Sequence, residues 1–355
     1  MKILLLGEFS GFFKNLKEGF KDLGHEVVLI AGGDGWKKID GADVSLDSNF
    51  KGIFRKADIA LKYLINLRKM RGYDVVLIIN SNFFKKYVGE ITLNYIIKHN
   101  KKLFLSACGD DVEYISYGLK NNYRWWPFMD WCDEYRNDYY QSKREINIHR
   151  KLIRNVHGII PTSYEYAQAW RNSSVAQKVK KTIPLPINTS NIKYIPYTKK
   201  DKIVFCHGLN RECFKGTSYI REAMLNIKKK YPDKVECIIK GRMPLNEYLD
   251  TMSKTDVVID QCKVYCYVSM NSLYAMAQGK IVMSGMQKEC YEEFGLKDSP
   301  IINIEPNAKQ IEAQMEYIIR NKDKLEKWSK YTREFVEKHH DSKLIAKKYL
   351  KVFEE

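Results

Sequence analysis

Short apolar runs, closed by glycine or polar turns, alternate with longer stretches of helical period along most of the chain. Lys2–Gly7 reads as a buried strand, Phe13–Leu23 as a helix ended by Gly24, and His25–Ile30 as a second strand. Strands are expected again at Asp74–Ile79, Lys102–Ser106 and His157–Pro161. Helices are expected at Lys56–Arg71, Val88–His99, Lys143–Arg154 and Tyr164–Arg171, the last capped by Ser163. Asp34–Phe54 is polar and irregular and reads as a surface loop or lid. Pro184, Pro186 and Pro196 break regular structure between Thr182 and Lys200, which marks a connection between domains and a hinge.

The alternation then restarts. Strands are expected at Lys202–His207, Val235–Ile239, Val257–Ile259, Lys280–Met283 and Ile301–Ile304. Helices fall at Ser218–Lys229, Pro244–Met252, Asn271–Ala277, Lys309–Asn321, Lys324–His339 and Asp341–Glu355. Two series of strand–helix–strand units imply two α/β domains with parallel sheets, which suits a chain of 355 residues.

Candidate chemistry gathers at loops that follow strands, where parallel sheets bind ligands. In Lys254–Ser284 the strand ends at Asp260-Gln261, a polar and aromatic loop follows, and Ser269, Met270 and Asn271 open a small-residue helix. Free amides and the helix dipole there favour an anion. The bland alternative is a packed βαβ unit with no ligand. Upstream, Arg211, Lys215 and Gly216 lie on a glycine-flanked loop before a helix, a combination suited to a diphosphate. Lys240-Gly241-Arg242 is a basic turn. In the first half, Gly7-Glu8-Phe9-Ser10-Gly11 is a glycine loop without the dinucleotide fingerprint. Cys108-Gly109-Asp110-Asp111 places two carboxylates after a strand, either as active-site groups or as a helix cap. Tyr114–Tyr140 is rich in rings, among them Tyr123, Trp125, Trp126, Phe128, Trp131 and Tyr135. They suit either a sugar-stacking surface or an insertion packed on the core.

Tyr274-Ala275-Met276-Ala277-Gln278-Gly279-Lys280 resembles the donor-site segment of glycosyltransferase family 4, and Lys215-Gly216 is similar to that family's phosphate-binding lysine. The family's helix glutamate is Tyr274 here, its partner acidic position is Cys266, and its glycine before the helix is Ser269. The family's arginine position holds Leu209, so Arg211 would substitute. The resemblance implies a GT-B fold of two Rossmann-like domains facing a central cleft. It implies an acceptor-binding domain over 1–185, a linker at 186–200, a nucleotide-sugar domain over 201–335, and a final helix, 336–355, packed back on the first domain. The implied activity is metal-independent, retaining transfer of a sugar from a UDP- or GDP-sugar to a polysaccharide, lipopolysaccharide or lipid-linked glycan. Asp110 and Asp111 would orient the acceptor or handle a proton. Lys215 and Arg211 would offset charge on the departing diphosphate. Gly11, Gly216, Gly241, Gln261, Ser269, Met270, Asn271 and Tyr274 would contact the donor. A degenerate site in a noncatalytic component of a glycan assembly complex is the alternative that Tyr274 and Cys266 raise.

The formal charge of +17 points to an anionic partner, a nucleotide-linked substrate or an acidic membrane surface. No nucleic-acid-binding motif is present, and no specific nucleic acid is expected. Arg55, Lys56, Lys62, Arg68, Lys69 and Arg71, with Lys85 and Lys86 beyond the next strand, form a basic, partly amphipathic flank. It reads as a solvated face or as a contact for membrane or lipid-linked acceptor. The apolar start is too short for a signal peptide, and no window suits a transmembrane helix. The eight scattered cysteines suit free thiols in a reducing cytoplasm, with the protein peripheral on the inner face of the membrane. Cys262 and Cys266 lack a second pair or a nearby histidine, so no structural zinc is expected.

Overall fold

The computed structural model describes residues 1–84, 88–120, 122–129, 142–209 and 211–355, and the chain forms two compact units. The first unit carries six parallel strands: β1 (Lys2–Leu6), β2 (Glu26–Ala31), β3 (Val44–Ser45), β4 (Val75–Ile78), β5 (Lys102–Ala107) and β6 (Gly158–Pro161). Their order across the sheet is β3-β2-β1-β4-β5-β6. Its helices are α1 (Phe12–Asp22), α2 (Gly52–Ile65), α3 (Gly89–His99), α4 (Val112–Leu119), α5 (Lys143–Asn155) and α6 (Tyr164–Arg171). Strand β4 is apolar at every position and β1 at all but Lys2, as a sheet covered on both faces requires; Leu4, Leu6, Val76 and Ile78 are wholly buried.

The second unit has five parallel strands: β7 (Ile203–Leu209), β8 (Val235–Gly241), β9 (Val257–Ile259), β10 (Ile281–Ser284) and β11 (Ile302–Asn303), ordered β11-β10-β9-β7-β8. Its helices are α7 (Glu212–Lys215), α8 (Thr217–Lys230), α9 (Leu245–Ser253), α10 (Met270–Ala277), α11 (Lys288–Phe294), α12 (Ala308–Arg320) and α13 (Leu325–His340). The last helix, α14 (Ser342–Glu354), belongs to the first unit. There Phe353 packs 4.9 Å from Phe104, and α1 comes so close that a Cβ on Gly19 would lie 2.2 Å from the Ser342 carbonyl oxygen.

Several details differ from the sequence reading. The stretch 34–54 contains a short strand, β3, and α2 starts at Gly52 and stops at Ile65, followed by a separate turn at Leu67–Met70. Residues 187–200 are part of the second unit: the Ile195 amide donates to Gln278 O and the Tyr197 amide to Ser329 Oγ. Residues 122–129, in the first half of the sequence, also belong to the second unit. Ser163 precedes α6 but makes no side-chain cap bond. Among the described residues no helix is long and apolar enough to cross a membrane.

Candidate functional site

Each sheet reverses its winding once. In the second unit the chain moves from β7 outward to β8, then returns to place β9 on the other side of β7. Loops after β7 and β9 therefore part above the strand ends, and such a crevice is where parallel sheets take ligands.

Asp260, the first residue after β9, is wholly buried in that place. Its Oδ1 accepts from Lys215 Nζ at 2.8 Å and from Asn271 Nδ2 at 2.8 Å. Its Oδ2 accepts from Ser272 Oγ at 2.7 Å and from Ser269 Oγ. One carboxylate thus joins the loop after β7, through Lys215, to the start of α10. Burial by itself would raise the Asp260 pKa. The Lys215 ammonium and the hydrogen bonds from Lys215, Ser269 and Ser272 outweigh it, and the carboxyl stays below the ordinary carboxylate range. Ser269 also caps α10, its Oγ accepting the Ser272 amide at 3.1 Å.

His207, two residues before the end of β7, supports this arrangement from below. Its Nδ1 lies 2.8 Å from the Ile259 carbonyl and its Nε2 lies 2.8 Å from Thr217 Oγ1. A carbonyl only accepts, so Nδ1 carries the proton and the Thr217 hydroxyl donates to Nε2. Burial, with the Lys215 charge next, pushes the His207 pKa down to about 4. The unfolded imidazole titrates near 6.5, so between these values the unfolded chain binds the extra proton and stability falls as pH drops. At pH 4 the loss from this group is about 3 kcal/mol. Urea unfolding at stepped pH should show the wild type losing that much more than His207→Gln between pH 7 and pH 4; parallel curves would remove His207 from the account.

The other expected donor contacts have specific places. Lys215 is buried against Asp260, so it does not converge with Arg211 on one charge. The Arg211 guanidinium instead sits 3.8 Å from the Phe214 ring centroid and 5.7 Å from that of Phe128. Gly216 has φ +74° and joins α7 to α8. Gly241 closes the register between β8 and β7, since a Cβ there would lie 2.2 Å from Leu209 O. Gln261 is buried, its carbonyl accepting the Gly285 amide at 2.9 Å and its side-chain amide reaching Cys266 Sγ at 3.5 Å. Met270 and Tyr274, which the resemblance assigned to donor contact, are buried in α10. Tyr248 Oη donates to the Asn271 carbonyl at 3.0 Å and fixes the first turn of α10 from α9.

The segment 122–129 covers the loop between β9 and α10. The Arg124 amide donates to Tyr265 Oη at 2.9 Å and its Nη2 to Gln287 Oε1 at 2.8 Å. Phe128 meets Phe214 edge to face at 5.6 Å. Tyr123, Trp126 and Phe128 are buried, so these rings serve packing and not an open stacking face. Trp131, Tyr135, Tyr139 and Tyr140, like Lys85 and Lys86, lie outside the described residues. Cys213 is disulfide-bonded, which departs from the expectation of free thiols throughout; Cys108, Cys206, Cys237, Cys262, Cys266 and Cys290 are free.

In the first unit the corresponding crevice lies between β1 and β4. The Glu8 carboxyl occupies the N-terminus of α1, accepting the amides of Gly11 at 2.9 Å and Lys14 at 2.8 Å. Gly11, with φ +90°, therefore gives its amide to an internal carboxyl and not to a ligand. Burial raises the Glu8 pKa to about 7. Asp111 proves to be a cap: its Oδ1 accepts the Tyr114 amide at 2.7 Å and its Oδ2 the Trp170 indole N–H at 3.0 Å. Burial, offset in part by His149 and these bonds, moves its pKa up to about 6. Asp110 is only half-buried. Asn80, just after β4, donates from Nδ2 to the Asp110 carbonyl at 3.0 Å and to the Cys108 carbonyl at 3.2 Å.

His207, Glu8 and Asn80 were given no role from sequence, and Asp260 was marked only as the end of the β9 run. Asp260 carried the clearest signal, an acid ending an apolar run before a long loop. Among the described residues no group of three or more His, Cys, Asp or Glu side chains could hold a metal.

No protein-family model matches the sequence, and no curated protein is significantly similar to it. Solved structures share its fold. Sucrose-phosphate synthase from Thermosynechococcus elongatus aligns over 100% of this chain and 98% of its own, with 13% identity and a TM-score of 0.66. Anabaena HepE, in complex with UDP and glucose, aligns over 100% and 99%, with 11% identity and a TM-score of 0.62. A UDP-N-acetylglucosamine 2-epimerase aligns over 93% and 90%, with 10% identity and a TM-score of 0.51. Two Rossmann-like units with parallel sheets, matched over their full length to these structures, give the chain a GT-B-like α/β fold.

Proposed function

We propose that the protein is a family 4-type glycosyltransferase that moves a sugar from a UDP- or GDP-sugar, with retention of configuration, to a polysaccharide, lipopolysaccharide or lipid-linked glycan on the cytoplasmic side of a membrane. One observation carries this reading: the buried Asp260–Lys215 pair locks the β7 loop to the start of α10 at the switch point of the second sheet. Fold neighbours crystallised with UDP or UDP-glucose support the donor class.

In this reading the donor diphosphate meets the first-turn amides of α10 at Met270 and Asn271, which have no acceptor within the helix. Arg211 supplies the charge that meets the diphosphate, because Lys215 is committed to Asp260. Its role is to hold the loop and add a fixed positive field as the diphosphate departs. No metal is assigned, and these groups offset the developing charge themselves. Asp110, the more exposed of the two adjacent carboxylates, is the candidate for acceptor orientation. The fold also carries an epimerase, and the choice of transfer over epimerisation rests on the family resemblance of residues 274–280.

Calorimetry against UDP-, GDP-, CMP- and dTDP-sugars tests the proposal. One donor should bind, and Arg211→Ala should weaken it about tenfold. No binding by any donor would favour the noncatalytic alternative.

A further inference from the structure

We infer that the outward face of α2 is a docking surface for an anionic lipid bilayer. The inference rests on the transferase reading only for what the surface would bring near the enzyme, a lipid-linked acceptor.

Helix α2 is apolar on two sides. One side anchors it: Tyr63 is buried, donates its hydroxyl to Phe83 O at 2.7 Å, and with Ile59 packs on the core of the first unit. The other side faces solvent. Ile53 is 75% exposed, Phe54 72% and Ile65 66%, with Leu61 and Leu64 also exposed. At 3.6 residues per turn these five side chains and Ala57 fall within an arc of about 120°, centred away from Ile59 and Tyr63. The stripe runs about 18 Å along the helix, and Phe50 extends it beyond the N-terminus. An exposed apolar stripe of this size is an interaction site by ordinary surface standards.

The charge around it selects the occupant. Lys51 and Lys56 at the start of α2, and Arg68, Lys69 and Arg71 on the turn that follows it, are exposed. The one acid within α2, Asp58, is already paired with Lys62 at 3.2 Å. A second copy of the chain would set these cations against themselves, and the whole chain carries +17. A bilayer with acidic headgroups accepts both features: the rings and branched side chains enter the acyl boundary while the lysines and arginines stay at headgroup level.

Co-sedimentation with vesicles tests this on the full chain. Binding should be strong to phosphatidylcholine vesicles containing about one third phosphatidylglycerol, weak to phosphatidylcholine alone, and reduced by salt. Ile53→Asp with Phe54→Asp should cut binding at least about tenfold with Tm unchanged, because both side chains are largely in water. Should that variant fail to fold, Ile53→Ser with Ile65→Ser serves instead. Lys69→Glu with Arg71→Glu should erase the preference for the acidic lipid. Equal binding to both vesicle types, or binding untouched by the stripe variants, would overturn the inference. So would a dimer in light scattering that the stripe variants dissolve, with no vesicle binding. The assay contains no nucleotide sugar, so vesicle binding without any donor binding would support this surface and sink the transferase reading alone.

Discussion

Asp260→Ala is expected to destabilise the protein by about 3–5 kcal/mol and to abolish nucleotide-sugar binding. The substitution leaves the Lys215 ammonium buried with no counter-charge and strips the acceptor from Ser269, Asn271 and Ser272 together. Removing one member of a buried pair costs far more than removing both. Asp260→Leu combined with Lys215→Met should therefore recover most of the stability in urea unfolding. Donor binding should stay lost in that double variant, because the start of α10 is no longer held to the β7 loop. Recovery of binding along with stability would show that the pair only fills space. The same pair shapes the acid limb. The folded Asp260 pKa lies below its ordinary 3.8, so its stabilisation is present above that value and disappears as pH falls through the folded one.

Gly216→Ala is the second large effect, expected at about 2–5 kcal/mol. Two costs add. The backbone there has φ +74°, which a side chain resists by about 1–2 kcal/mol. A Cβ would also lie 2.4 Å from Cys262 Sγ, a wholly buried atom in the loop after β9, and overpacking of this kind costs about 1–3 kcal/mol. Cys262→Ala in the same chain should return the second part and leave the first. A double-mutant cycle by denaturant unfolding measures it, and additive losses would mean that Gly216 and Cys262 do not meet.

The pattern of apolar runs and glycine stops determined the parallel α/β architecture, because a strand covered on both faces must be apolar throughout and a crossover helix must have its own period. Local chemistry was legible in part: Ser269 opens α10 where the sequence placed it and caps the helix, whereas Ser163 makes no cap bond before α6. Partnerships across the fold were not. Lys215 and Asp260 are 45 residues apart, and only the adjacency of β7 and β9 turns a phosphate-binding lysine into half of a buried pair. For the rings of Tyr114–Tyr140 the sequence left a sugar platform and a packed insertion open, and the tertiary structure packs Tyr123 on Tyr265 and Phe128 on Phe214. Asp111 and Gly11 likewise carried site signatures that packing assigned to a helix cap and to Glu8. For α2 the sequence supplied an amphipathic period, but a period does not say which stripe faces inward. Docking through Tyr63 and Ile59 decided that, and left the other stripe to solvent.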